Sequence, residues 1–358
     1  MWCWNKNSTR PDERHSGMPE SDTNAPLDPQ WVERLAQARA LKKWPLGKLV
    51  SLFENRLPEN AALRSQIQHH IARHPGDYAK PAAILGFTGT PGAGKSSLLA
   101  ELCRYLLAQD DQLKIAVLAI DPSSQASGGS ILGDRTRMHY GRREPRLFFR
   151  SQASNLELGG VTEATFHACR ILRHLFDYIF IETVGIGQNE IDIQNMTDYT
   201  FLVMQPLGGD QIQFMKCGIM EIPDAFIVNK CDEEKLARSS YHMLRSSLKQ
   251  ARLVALRAED DFQQAARDNI FLTSATRHKG IDILGQHILS LQPPQRWQHA
   301  ERFYLKKTIQ RRYGEFGLHL IAPMDTPELM QQPQLSYEEK ELRLRQAVVE
   351  HVKGAQIT

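Results

Sequence analysis

Residues 86–97 read GFTGTPGAGKSS. Four glycines and a proline in so short a run would ruin the interior of a helix or strand, because glycine loses the most backbone freedom on ordering. The run follows an apolar segment, AAIL, and leads into SSLLAELCRYLL, so it reads as strand, loop and helix. Within it, Gly89 to Ser96 match the pattern GxxxxGK[ST] in the setting that pattern needs. Glycines let successive backbone N–H groups turn inward around phosphate oxygens, and the start of the helix adds a favourable dipole. Gly92, Ala93, Gly94, Lys95, Ser96 and Ser97 are the expected phosphate contacts, with Lys95 reaching the β- and γ-phosphates and Ser96 binding Mg²⁺. The stretch is a nucleoside triphosphate site.

The chain around it has 358 residues, 41% apolar and 24% charged, with 44 basic against 41 acidic side chains. A formal charge of +3 over that length argues for neither nucleic acid nor membrane partners. No apolar run approaches the roughly 20 residues that span a bilayer. The five cysteines are scattered without a CxxC pair, which suggests neither a disulfide framework nor a zinc site and fits a reducing, cytoplasmic setting. Residues 1–27 read as a disordered leader, with Met18 as an alternative start. Residues 28–80 form a helical extension in three segments, WVERLAQARALKKW, PLGKLVSLFENRLPE and NAALRSQIQHHIARH. Over 81–293, seven short apolar runs alternate with helical stretches, implying buried strands, crossover helices and a mostly parallel sheet. Residues 294–358 turn helical again. The expected fold is α/β, a P-loop NTPase sheet flanked by helices with helical extensions at both ends.

The run AFIVNKCD ends in Asn229-Lys230-Cys231-Asp232, an NKxD pattern at a strand's C-terminal end. An aspartate there can accept from both the ring N–H and the exocyclic amine of guanine, a pair adenine lacks. Lys230 would lie along the nucleotide and Asn229 would brace the phosphate loop. Ser274-Ala275-Thr276, one βα unit later, resembles the SA[KLT] element with which G proteins support the base. Asp121, Asp134 and Glu182 stand at strand ends or in following loops, and carboxylates near a phosphate loop repel the ligand unless a divalent cation bridges them. They would hold Mg²⁺ directly or through water, the lesser alternative for Asp121 or Asp134 being a turn or helix-cap residue. In Glu182-Thr183-Val184-Gly185, the glycine N–H is placed to sense the γ-phosphate.

GFTGTPGAGKSS, AIDPSSQASGGSILGDRTRM, FIETVGIGQNE and VNKCD closely resemble the MeaB/ArgK family of P-loop GTPases, over roughly residues 45–290. These are G-protein chaperones of adenosylcobalamin-dependent acyl-CoA mutases, methylmalonyl-CoA mutase among them. The resemblance implies GTP hydrolysis to GDP and phosphate, slow alone and accelerated by the mutase. Nucleotide state would gate adenosylcobalamin delivery from an adenosyltransferase and ejection of inactivated cobalamin. It implies a homodimer joined through the C-terminal helices, and metal ligands at Ser96, Asp121, Asp134 and Glu182. The family's third switch corresponds to LGGDQIQFMKCG, which keeps Asp210 and Lys216 but carries Gln211, Phe214 and Cys217 in place of an acid, a glycine and a lysine. That departure points to a different mutase partner or a weakened response.

Gln188, three residues past Gly185, is either the water-positioning group or a helix-start residue. Lys216 is either a charge that docks on mutase binding or a surface lysine. Arg135 and Arg137 either approach the phosphates or remain solvated, and His139 and His278 read as ordinary loop residues. The leucine and valine stripe of ELRLRQAVVEHVKG is core or dimer seam. Two other functions stay open: a kinase or ATPase tied to amino-acid transport, and a metallochaperone GTPase for nickel enzymes. NKCD argues against ATP, and no Cys/His cluster marks a transferred metal.

Overall fold

The computed structural model describes residues 25–55, 57–78, 81–121, 144–153, 162–183, 190–206, 223–255, 269–291, 296–323, 329, 332 and 334–355. The seven apolar runs become seven strands: β1 (Ala83–Gly89), β2 (Ile115–Asp121), β3 (Leu147–Ala153), β4 (Tyr178–Glu182), β5 (Tyr199–Met204), β6 (Ala225–Val228) and β7 (Ile270–Leu272). They form one sheet in the order β3-β2-β4-β1-β5-β6-β7, and every neighbouring pair is parallel. From β1 the chain first builds outward on one side and then crosses to the other. The order therefore reverses between β4 and β1 on one hand and β5 on the other, and such reversals open a crevice at the strands' C-terminal ends. The phosphate loop follows β1 into that crevice.

Alternation along each strand sends side chains to two separate cores. Leu85 and Phe87 of β1 join Val117, Phe180 and Phe201 beneath α4 (Lys95–Gln109) and α8 (Ile281–Ser290). Phe87 stacks on Phe201 at 5.0 Å and meets Phe180 edge-on at 5.3 Å. Ile84, Leu118 and Ile181 face the other way, onto α1 (Pro29–Arg39), α2 (Lys43–Glu54), α3 (Ala61–Arg73), α5 (Glu163–Leu172), α6 (Glu190–Met196), α9 (Trp297–Ile321) and α10 (Tyr337–Ala355). The helices of both terminal regions thus share one core with the sheet. A smaller cluster under α7 (Glu234–Ala255) covers β6 and β7. Leu344 and Val348 of the C-terminal stripe are buried in the chain's own core.

One expected boundary moves. The first helical segment breaks at Ala40–Lys42, where Leu41 adopts φ 56°, and not at Pro45. Pro45 lies in the first turn of α2, where a missing N–H costs nothing. In α9 the backbone leaves helical geometry at Gly314, at φ 63° and ψ −163°.

One carboxylate ties the helical layer together. Glu338 at the start of α10 accepts from Arg170 of α5 at 2.6 and 2.8 Å and from Arg64 of α3 at 2.9 Å, and all three side chains are under a tenth exposed. Nearby, the Ser65 and Ser336 hydroxyls meet at 2.7 Å and His69 contacts Glu339 at 3.0 Å. Burial pushes the Glu338 pKa up, but the two guanidiniums outweigh that and hold it below the usual carboxylate value. A depressed folded pKa contributes stability above the unfolded value of about 4.3, and that contribution is lost as pH falls through the folded value. Glu338→Gln should lower unfolding stability at pH 7 by about 3–5 kcal/mol, because two arginines would stay buried without a counter-charge. In denaturant titrations the gap to wild type should narrow below about pH 4. Cys103, Cys169 and Cys231 are buried thiols outside any disulfide. Burial raises the Cys169 pKa, and raises Cys231 to about 11. Peptide mapping after thiol labelling at pH 8 should find all three unmodified until denaturant is added.

Candidate nucleotide site

The loop after β1 can be made only with glycine where it matters most. Gly89 sits at φ 142°, and a Cβ there would lie 1.9 Å from the Val203 carbonyl oxygen of β5. Gly92 and Gly94 also take positive φ, 77° and 82°, which turns the loop into the start of α4. Ala93 is buried beneath the loop, and Ser97 is exposed on the first turn of α4. Lys95 is 6% exposed, and its ammonium donates to the carbonyls of Gly89 at 2.8 Å and Thr90 at 3.0 Å. Burial lowers the Lys95 pKa, and the Glu182 carboxylate works against that shift.

Glu182 ends β4 beside β1, in register with Phe87. It is 5% exposed and accepts from the Ser96 hydroxyl at 2.6 Å. A serine hydroxyl and a buried carboxylate meeting at a phosphate loop are the hard oxygen donors that Mg²⁺ takes, so the residues present fit that ion. Asp121 closes β2 on the far side of β4, and nothing is described of its side chain. Asp134, Gly185, Gln188 and Lys216 lie outside the described residues, as do Arg135, Arg137, His139, Asp210, Gln211, Phe214 and Cys217.

The NKCD turn closes the other side. Asn229 is 1% exposed, and its amide nitrogen donates to the carbonyls of Ala93 at 2.9 Å and Gly94 at 3.3 Å. Its side-chain oxygen accepts from the Thr273 hydroxyl at 3.2 Å. One side chain thereby joins the phosphate loop, the end of β6 and the end of β7. Lys230 follows at φ 63°, exposed. Asp232 Oδ1 accepts from the hydroxyls of Ser274 at 2.6 Å and Thr276 at 3.0 Å, and those bonds hold its pKa below the usual carboxylate range. Ala275 is buried between them. Gly280, at φ 67°, lets the loop return close to Leu272, whose carbonyl a Cβ would meet at 2.1 Å.

Three residues join the site beyond those the motifs marked. Thr273 orients Asn229. Arg277 brings its guanidinium to 3.4 Å from Asp232 Oδ1. Gln205, just after β5, places its amide nitrogen 3.5 Å from where a Cβ on Gly92 would be. Adjacency to Ser274-Ala275-Thr276 is a usable signal for the first two, whereas Gln205 carries none. His278 is a loop residue, at φ 53°, and its ring meets Glu101 of α4 at 2.8 Å.

The chain is similar to several known proteins. A family model described as methylmalonyl Co-A mutase-associated GTPase MeaB matches residues 46–304. The GTPase ArgK of Escherichia coli K12 is 33% identical over 261 residues, 72% of this chain and 75% of that protein. A Pyrococcus abyssi protein provisionally named a GTPase is 41% identical over 208 residues, 58% of this chain and 61% of that relative. The matched part thus spans under two thirds of the Pyrococcus abyssi protein's length. The solved structure of a protein named LAO/AO transport system kinase superposes with a TM-score of 0.57 at 26% identity, covering 91% of this chain and 98% of that one. The chain belongs to the MeaB/ArgK family of P-loop GTPases.

Proposed function

We propose that this chain hydrolyses GTP to GDP and phosphate with Mg²⁺, and serves as a chaperone of an adenosylcobalamin-dependent acyl-CoA mutase. The observation that carries the nucleotide assignment is Asp232, whose Oδ1 is held by two hydroxyls on a turn braced against the phosphate loop. A carboxylate oriented in this way suits the two donors on guanine's edge and would be left unsatisfied by adenine. Lys95 would turn from its loop carbonyls to the β- and γ-phosphates, and the backbone N–H groups of residues 92–97 would wrap the phosphate oxygens. Ser96 and Glu182, with Asp121 and Asp134, would hold Mg²⁺, which when bound neutralises charge on the phosphates. Gly185 would report the γ-phosphate, Gln188 would position the attacking water, and Lys216 would act once a mutase docks.

The mutase partnership rests on the family description and on the resemblance of a Caenorhabditis briggsae mitochondrial protein named methylmalonic aciduria type A homolog, 33% identical over 234 residues. In this reading the nucleotide state gates loading of adenosylcobalamin from an adenosyltransferase and removal of spent cofactor. The working form is a cytoplasmic homodimer. The solved relative named as a transport system kinase favours a second reading, a kinase coupled to transport, which predicts ATP preference and transfer to an acceptor.

Turnover of GTP and ATP by the full chain, alone and with a candidate mutase, separates the two. GTP should be preferred and its hydrolysis should rise with the mutase. ATP turned over as readily as GTP would overturn the assignment. Asp232→Ala should erase the preference while leaving the melting temperature near wild type, since this side chain is substantially exposed. Asn229→Ala should do something different. By leaving two loop carbonyls and Thr273 without their partner, it should cost about 1–3 kcal/mol of stability and weaken GTP and GDP binding together, as calorimetry would show.

A further inference from the structure

At the opposite end of the sheet lies a cavity of about 340 Å³ lined by Ala36, Arg39, Ala40, Asp77, Lys114, His174 and Leu175. Lys114 immediately precedes β2, and His174 and Leu175 lead from α5 towards β4. Those strands end at Asp121 and Glu182, so the cavity stands about 20 Å from the nucleotide crevice along β2. Its volume is in the range of small-molecule pockets.

The floor is fixed by the Lys114 backbone, which bonds both the side chain and the main chain of Asp177. The Lys114 N–H donates to an Asp177 carboxylate oxygen at 2.8 Å, and the Asp177 N–H donates to the Lys114 carbonyl at 3.0 Å. Arg39 and Asp77 on the rim pair at 3.2 Å, with the guanidinium 5.2 Å from the Tyr78 ring centre, so their charges cancel. Among the described residues neither the Lys114 ammonium nor the His174 ring has a hydrogen-bond partner. Burial, reinforced by Arg173 and Arg170, drives the His174 pKa down to about 3. The ring is therefore neutral and offers one donor and one acceptor. Ala36, Ala40 and Leu175 add an apolar wall. The Lys114 ammonium, a neutral polar ring and three aliphatic side chains suit a molecule with a single negative head and a hydrocarbon body.

We propose that this cavity binds a small aliphatic carboxylate, its head on Lys114 and His174 and its chain against Ala36, Ala40 and Leu175. The site is separate from the nucleotide crevice and does not depend on what occurs there.

The test is ligand-observed saturation-transfer NMR on the full chain, with hexanoate and inorganic phosphate as probes at constant ionic strength. Hexanoate should bind saturably to wild type and equally to Lys95→Ala, which removes the phosphate-loop cation. Lys114→Met, which keeps the backbone bonds to Asp177, should weaken it about tenfold, in line with losing one charge-assisted contact. Ala36→Leu should weaken it as well by filling the cavity while keeping every charge, so the assignment stays testable if either variant folds poorly. Absence of saturable hexanoate binding to wild type would overturn the proposal, as would equal affinity in Lys114→Met. Phosphate binding that depends on Lys114 and excludes hexanoate would overturn the carboxylate assignment.

Discussion

The Asn229 side chain is the constraint on which the site depends. Its amide nitrogen reaches the carbonyls of Ala93 and Gly94, and its oxygen takes the Thr273 hydroxyl. A phosphate loop on its own is a floppy glycine-rich excursion, and ordering it is costly. Here the loop is pinned to the strand end that also presents Asp232. The spacing between the triphosphate cradle and the base-recognising carboxylate is therefore set by main-chain geometry and one buried amide. Gly94 shows how tight the junction is, since a Cβ there would come within 2.8 Å of the Asn229 nitrogen.

The sheet order explains why these groups meet at all. β1 lies between β4 and β5, so the loop it launches has Glu182 on one flank and the Val203 carbonyl on the other. Parallel pairing points every strand's C-terminal end the same way, and the polar residues of AID, FIE and FIVNKCD emerge together. The apolar parts of the same strands are buried on both faces. Stability and chemistry are divided along each strand, with the interior supplying one and the final residues the other.

Much of this was legible in the residues. Continuous runs such as KIAVLAID and YTFLVMQP suit strands covered on both faces, and glycines spaced as at 89, 92 and 94 ahead of GKS suit a loop around an anion. Local chemistry of that kind is written in neighbouring letters. The Glu338 cluster is not, because its arginines stand 168 and 274 positions away and nothing about an EEK triplet marks one glutamate as buried. The break at Leu41 was hidden for another reason: proline draws the eye to position 45, yet a first-turn proline is no breaker. Gln205 and the Lys114 cavity arise from elements brought together by the fold, and no spacing rule reaches them.

The double-arginine clasp on Glu338 also bears on how the molecule is made. A chain leaving the ribosome N-terminus first exposes Arg64 and then Arg170 long before Glu338 has been synthesised. Until then both guanidiniums lack that carboxylate, and closing the helices that carry them over the sheet costs the desolvation of two cations without it. The nucleotide crevice is encoded entirely upstream, so its parts exist before their supporting layer can lock. Locking of the helical layer is thus a late event in translation, and a tail cut short of Glu338 would weaken it.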